Sequence, residues 1–370
     1  MYEEQQLYND LLYVMLYGGV TFLSVVACIY LQFRRGNAFA PEITPPLRLR
    51  RWVVLFFALM AVGHVWWLLL TVYHVISDPY IAFYVGVGLD SLVLLPVMMV
   101  MLLAMLQDRC RPTWHIGVMM IPVFVIIVVS ISFRTYVLLP WLKAYFLLFG
   151  IAFVIAMLHA VRQYSRWLRE NYADLEHKEV WQSLVAIIVC MLILDFYIIS
   201  GNGSFFAYFI QINDIVLICL LLWRVETLQT LDDTSSQVTS YEELAPMSAM
   251  ALSTVITSNI GLLLEQRCEA THLYLRHDIR LDDFCKIIGT NRNYLNQYFT
   301  QQQMTFNTYI NNLRIEHFVR LYREAVAAKR SFTAQQLAQE SGFRSYSTFS
   351  SAFKQRMKQT VTSWMRDLNE

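Results

Sequence analysis

Before residue 230 this chain runs for long stretches with almost no Lys, Arg, Asp or Glu, and that restricts it to folds a lipid bilayer can accept. Blocks such as VVLFFALMAVGHVWWLLLTV and IGVMMIPVFVIIVVSISF carry none of the four. A bilayer core takes about 20 apolar residues of helix. Lipid offers backbone groups no partner, so helices that satisfy their own peptide bonds are the expected form. Seven candidate spans follow: 11–32, 52–76, 81–106, 114–133, 139–161, 180–200 and 205–228. Pro96 and Pro122 fall inside spans, where they predict kinks. Trp52, Trp114, Trp141 and Trp181 sit at span ends, as an interfacial aromatic belt requires. The overall 15% charged content lies well under the roughly 25% of soluble proteins, because the deficit is concentrated in this region.

Positive charge gives the spans a direction. Arg34, Arg35, Arg48, Arg50 and Arg51 follow span 1; Arg109 and Arg111 follow span 3; Arg162, Arg166, Arg169 and Lys178 follow span 5. The alternate ends hold only Arg134 and Lys143. The arginine-rich loops are then cytoplasmic, the N-terminus outside, and an odd number of spans puts the C-terminus inside. The expected location is a bacterial inner (cytoplasmic) membrane. The first ten residues, MYEEQQLYND, are acidic where a cleavable signal would begin basic. Residues 229–251 then read as a polar, acidic linker.

From 252 onward the chain changes character. It carries 15 Lys/Arg against 10 Asp/Glu, net +5, and leaves the rest at −4. A basic domain beside an acidic remainder suits a polyanion partner. Leu281, Phe284, Ile287 and Ile288 make one short helix stopped by Gly289. Thr290 or Asn291 caps a second, with Tyr294, Leu295 and Phe299 facing inward. A long helix, FNTYINNLRIEHFVRLYREAVAA, follows. The pattern then repeats: Leu337 and Ala338 on one helix, Gly342 at the turn, and Phe343, Phe349 and Phe353 anchoring the next. Helix, tight Gly turn and helix mark a helix-turn-helix unit. Two of them at about fifty residues' separation, joined by one stiff helix, can address successive major grooves. The fold class is therefore all-α: a transmembrane bundle over 1–228, a linker, and a two-unit DNA-binding domain over 252–370.

The ordered series FCKIIGTNRNYLNQYF, TFNTYINNLRIEH and LAQESGFRSYSTFSSAFK resembles the AraC/XylS family of bacterial transcription regulators. The resemblance covers about the last third of the chain. It implies an all-helical bundle with two helix-turn-helix units, dimers on promoter repeats and, for an activator, contact with RNA polymerase. Departures stand out. Gln303 and Lys358 occupy places where the family usually has Gly, which implies turns that are strained or differently shaped. Val361 replaces a usual Pro. Phe318 replaces a usual Ala, which implies altered packing between subunits. The family's sugar-binding barrel has no counterpart before residue 250.

Candidate DNA readers follow from the outward positions of each second helix. In the first unit these are Arg292, Asn293, Asn296 and Gln297; in the second, Arg344, Ser345, Tyr346, Ser347, Ser350 and Ser351, with Lys354 towards a phosphate. Arg pairs bidentately with guanine, and Asn or Gln with adenine; hydroxyls mainly fix register. Arg314 and Glu316 read as structural.

Ionisable groups inside spans are costly. Here they are His64, Asp90, Asp195 and Asp214, with His74 and Arg134 near outer ends. They suggest a polar pocket for a small polar or cationic ligand. Competing readings are pairing with His64, His74 or Arg134 to hold the bundle, and a proton relay. His159 and Glu226 read as exposed to headgroup water. The six cysteines lack zinc spacing, and no phosphate loop, metal cluster or catalytic constellation is present, so neither a cofactor nor an enzyme is expected. The expected function is a membrane-embedded one-component transcription regulator. A transporter whose attached domain reports on substrate is the alternative, and an intramembrane enzyme using Asp90 and Asp195 a third.

Overall fold

The structure, a computed structural model, describes residues 10–34, 36, 45–200, 204–231 and 259–368. Side chains are described throughout these except at 191, 193–200 and 204–206. The protein is all-helical: no strand occurs among the described residues, only an isolated antiparallel bridge between Tyr172 and Arg280. It divides into two compact units. The first is Met1–Tyr164 with Val180–Asp232, the second Ser165–Glu179 with Asp233–Glu370.

The first unit is built from α1 (Leu11–Phe33), α2 (Leu47–Thr71), α3 (Pro79–Ala104), α4 (Trp114–Phe133), α5 (Leu139–Asn171), α6 (Trp181–Ser200) and α7 (Ser204–Thr227). Helices α1 to α5 and the Ala207–Thr227 part of α7 are long and apolar enough to cross a membrane. Among the described residues that makes six, and the seventh span expected at 180–200 falls on α6, most of whose side chains after Cys190 lie outside them. Of α6, the fully described part, Trp181–Cys190, is apolar but short. Asp10 caps α1 by accepting from the Leu12 amide at 3.0 Å, and Asp78 caps α3 from Tyr80 at 3.0 Å. Helix α1 packs on α2 and α7, α3 on α2 and α4, and α6 on α7. The outer face of α1 leaves Leu12, Met15, Phe22, Ile29 and Phe33 exposed, a surface suited to lipid.

Two local features follow from sequence chemistry. Within α3 the stretch Asp90–Leu94 widens into a π-turn ahead of Pro96. A proline lacks the amide for an ordinary helical bond and crowds the preceding turn, which accounts for the widening. Arg48, Arg50 and Arg51 lie inside α2 rather than in a loop. Helix α5 has 33 residues, about 50 Å at 1.5 Å per residue. It outruns the expected span 139–161, and its last seven residues, Ser165–Asn171, belong to the second unit.

The second unit continues from a helical turn at 259–264 through a π-turn (Glu265–Glu269) and a 3-10 turn (Leu273–Leu275). Then come α8 (Leu281–Ile288), α9 (Arg292–Gln301), α10 (Phe306–Ala327), α11 (Ala334–Glu340), α12 (Tyr346–Met357) and α13 (Val361–Asp367). Each short helix is punctuated by its own residues. Gly289 and Gly342 take left-handed φ of 78° and 90°. Asn291, Thr305, Ser345 and Thr360 accept from amides of the first turn, and Thr333 forms a reciprocal capping box with Gln336. Two cores result. Phe284, Ile288, Leu295, Phe299, Phe306 and Ile310 pack in the first, and Ile315, Phe318, Leu337, Phe349, Phe353 and Trp364 in the second. Helix α10 serves both.

Several expectations need correction here. Tyr294 is exposed rather than inward-facing, and Ile287 is exposed too. Phe318 is completely buried inside the second core, not placed between subunits. The linker lies almost wholly outside the described residues. Gln303 and Lys358 do occupy left-handed backbone, at φ 52° and 60°. A non-glycine residue pays a steric cost there. Gln303→Gly and Lys358→Gly should each therefore stabilise the protein by about 0.5–1 kcal/mol, after allowing for glycine's greater freedom when unfolded. Thermal unfolding of the purified protein in detergent checks this.

Candidate nucleic-acid interface

Each helix-turn-helix unit leaves one polar helix face uncovered. In α9, Leu295 and Phe299 are buried while Asn293 and Gln297 are exposed and Arg292 and Asn296 half-buried. In α12, Phe349 and Phe353 are buried while Tyr346, Ser347, Ser351 and Lys354 are exposed and Ser350 half-buried; Arg344, just before the helix, is half-buried too. The 3.6-residue period that buries every third or fourth side chain also turns the residues between them outward. Ser345 differs from its neighbours. Its hydroxyl accepts from the Thr348 amide at 3.3 Å and pairs with the Thr348 hydroxyl, so it is spent on capping α12.

Arg292 and Arg344, the two candidate reader arginines, are engaged inside the second unit. Arg292 donates through Nη1 to Asp282 Oδ1 at 3.0 Å and through Nη2 to Asn171 Oδ1. Arg344 donates to Asp278 Oδ2 at 3.3 Å, and the other oxygen of that carboxylate accepts from Lys178 at 2.8 Å. Partial burial pushes the Asp278 carboxyl up. The hydrogen bond and charge of Lys178, with Arg344 and Arg280, outweigh this and hold it below the ordinary carboxylate value. Asn171, Asp278 and Asp282 carry no role in the sequence reading, and Lys178 enters it only as one of the charges that orient the spans. Only Asp282 had a visible signal, as an acid in the first turn of a short helix.

The linker helix holds the unit together rather than offering bases a contact. Arg314 is buried and donates from Nε to Tyr274 O and from Nη2 to Arg276 O, both at 2.8 Å. Burial lowers its pKa to about 10, partly offset by Asp174 and Asp278, so it keeps its charge at neutral pH. Glu316 accepts from Arg356. Both fit the structural role expected of them.

In the first unit, His64 Nε2 lies 3.8 Å from Asp214 Oδ2 and 3.3 Å from Gln211 Oε1, and its Nδ1 faces Met60 O at 2.9 Å. Asp90 sits on the π-turn and accepts from Trp67 Nε1 at 2.7 Å. Arg134 pairs with Asp78 at 2.9 Å. The Asp195 side chain lies outside the described residues. The structure thus joins His64 to Asp214 and gives Asp90 an indole partner. A small apolar cavity lined by Leu95, Met99, Phe149 and Phe153 touches none of His64, Asp90 and Asp214. Glu226 corrects the expectation of headgroup exposure: it is buried, with Arg50 Nη2 at 3.9 Å. His159 is exposed as expected and contacts Gln163.

Among the described residues no group of three or more His, Cys, Asp or Glu side chains is placed to hold a metal. Residues 284–367 match a helix-turn-helix domain family of the AraC type. The match takes in both units and the linker helix. No curated protein and no solved structure matches the chain.

Proposed function

We propose that this chain is a membrane-embedded one-component transcription regulator, whose C-terminal AraC-type domain binds promoter DNA on the cytoplasmic side. The observation that carries the reading is the pairing of that helix-turn-helix domain, residues 284–367, with helices apolar enough to cross a membrane. The arginine-rich span ends, read with seven helices in the membrane, support a cytoplasmic C-terminal domain. Helix α10, 22 residues and about 33 Å long, matches the ~34–36 Å at which grooves recur on one face of the duplex. The base-reading residues are Arg292, Asn293, Asn296, Gln297 and Arg344, with Tyr346, Ser347, Ser350 and Lys354 holding the backbone. Homodimerisation on repeated half-sites, contact with RNA polymerase and a small ligand near His64, Asp90 and Asp214 complete the proposal.

Genome-wide DNA occupancy of the intact protein tests the reading, together with a reporter fused after Glu370. Discrete occupied promoters and a cytoplasmic reporter support it. A periplasmic reporter, or no site-specific occupancy, overturns it. At the residue level, Arg292→Ala should cost about 1–3 kcal/mol of discrimination between site and scrambled DNA. Titrations at fixed salt measure that difference.

A further inference from the structure

The stretch that joins α5 to α6 is built into the DNA-reading unit. Ala173 is fully buried in the first helix-turn-helix core. Its amide donates to Ile279 O at 3.0 Å, and its carbonyl accepts from Asn307 Nδ2 at 2.6 Å. Tyr172 bridges to Arg280, and both Lys178 and Arg280 lie over the Tyr172 ring. The stretch reaches both candidate reader arginines, Arg292 directly and Arg344 through Asp278. Asn171, buried at the end of α5 and anchored to Trp167 O at 2.6 Å, accepts from Arg292. Lys178, buried as well, fixes Asp278, which accepts from Arg344.

Reading guanine takes two parallel N–H groups of one guanidinium, aimed at O6 and N7. In Arg292 the two terminal nitrogens already point at different acceptors, Asp282 and Asn171. With both nitrogens held, the plane of the guanidinium is set by Asp282 and Asn171 rather than by a base edge, so turning the fork onto guanine competes with the bond to Asn171. We propose that Asn171 is a positioning residue that withholds Arg292 from DNA, so that site recognition requires the guanidinium to leave Asn171. The proposal rests on the reading of Arg292 as a base contact. It makes a residue outside the matched helix-turn-helix domain a determinant of that domain's specificity. Any displacement of residues 171–178 then changes how strongly DNA must compete.

The test uses the full chain in lipid nanodiscs. The probe is the double-stranded sequence that the wild-type protein enriches from a random library, with its scrambled version as control. Asn171→Ala removes the acceptor and should bind the enriched sequence about tenfold more tightly, with scrambled DNA unchanged. Asn171→Asp keeps the acceptor and adds charge, and should bind it more weakly than wild type. In an Arg292→Ala background both substitutions should have no effect. Opposite signs from two substitutions at one position cannot come from a general loss of folding. Asn171→Ala binding equal to or weaker than wild type, with the enriched sequence still recognised, overturns the withholding role alone. Failure of the wild-type protein to enrich any sequence overturns the DNA reading, and this proposal with it.

Discussion

Replacing Arg314 by methionine should destabilise the DNA-reading unit by about 3–5 kcal/mol. Methionine keeps much of the alkyl stem, so the loss is mostly the guanidinium. That group supplies the donors seen on Tyr274 O and Arg276 O. The buried Tyr274 carbonyl left without a donor costs about 1–3 kcal/mol, the partly buried Arg276 carbonyl less, and the emptied space adds to this. The surroundings leave little room to repack. Arg314 lies over the Phe343 ring, 5.6 Å from its centroid. A Cβ on Gly342 would come within 3.2 Å of its Nε and 2.8 Å of Leu275 Cα, so the wall there is backbone. The guanidinium therefore ties the 3-10 turn before the first unit to the turn of the second. Arg314→Lys keeps the charge but not the fork, and should fall between methionine and wild type. Denaturant or thermal unfolding in detergent ranks the three. Equal stability of the methionine variant and wild type would mean that water satisfies both carbonyls.

Much of this architecture could be read from the chain because its signals are local. The apolar runs mark the long helices by length alone. In the reader, Gly289 and Gly342 fall where the backbone turns left-handed, and Asn291 caps as its position suggested. The misreadings have the opposite origin. Tyr294 shares the helical period of Leu295 and Phe299 closely enough to look buried, yet it lies one position off the inner face, and Tyr298 packs there instead. Glu226 looked like a lone acid at a helix end because its partner, Arg50, lies on the second helix and no pattern connects them. The stretch 171–179 is the clearest case. Its charges served to orient the spans, and nothing in Asn171, Ala173 or Lys178 announces a place in the reader. An alanine in a loop carries no periodic signal, and its burial depends on Ile279 and Asn307, more than a hundred residues away. Separation along the chain also hid Asn171, 121 residues from Arg292, and Asp278, 66 residues from Arg344, so the outward placement of the two arginines was legible while their engagement was not.

Phe318→Ala should cost about 3–5 kcal/mol, although alanine is what the resembled family usually carries at this position. The ring is completely buried, with its centroid 4.4 Å from Phe349, 5.8 Å from Phe353 and 6.2 Å from Trp364. Its neighbours are shaped around it. Removing it opens a void lined by large rings, and rings held by helices cannot collapse into it without moving those helices. Phe349 and Phe353 form the inner face of α12, so the helix that carries Lys354, and that starts directly after Arg344 and Ser345, is the one set loose. The loss of stability should come with a selective loss of DNA contact. Footprints of the variant should weaken at the half-site read by α12 and persist at that read by α9, whose core rests on Leu295, Phe299 and Phe306. Phe318→Leu, which refills most of the volume, should recover more than half of the stability. A cost below about 1 kcal/mol for the alanine variant would show that the second core closes over the gap, and both half-sites should then be protected equally.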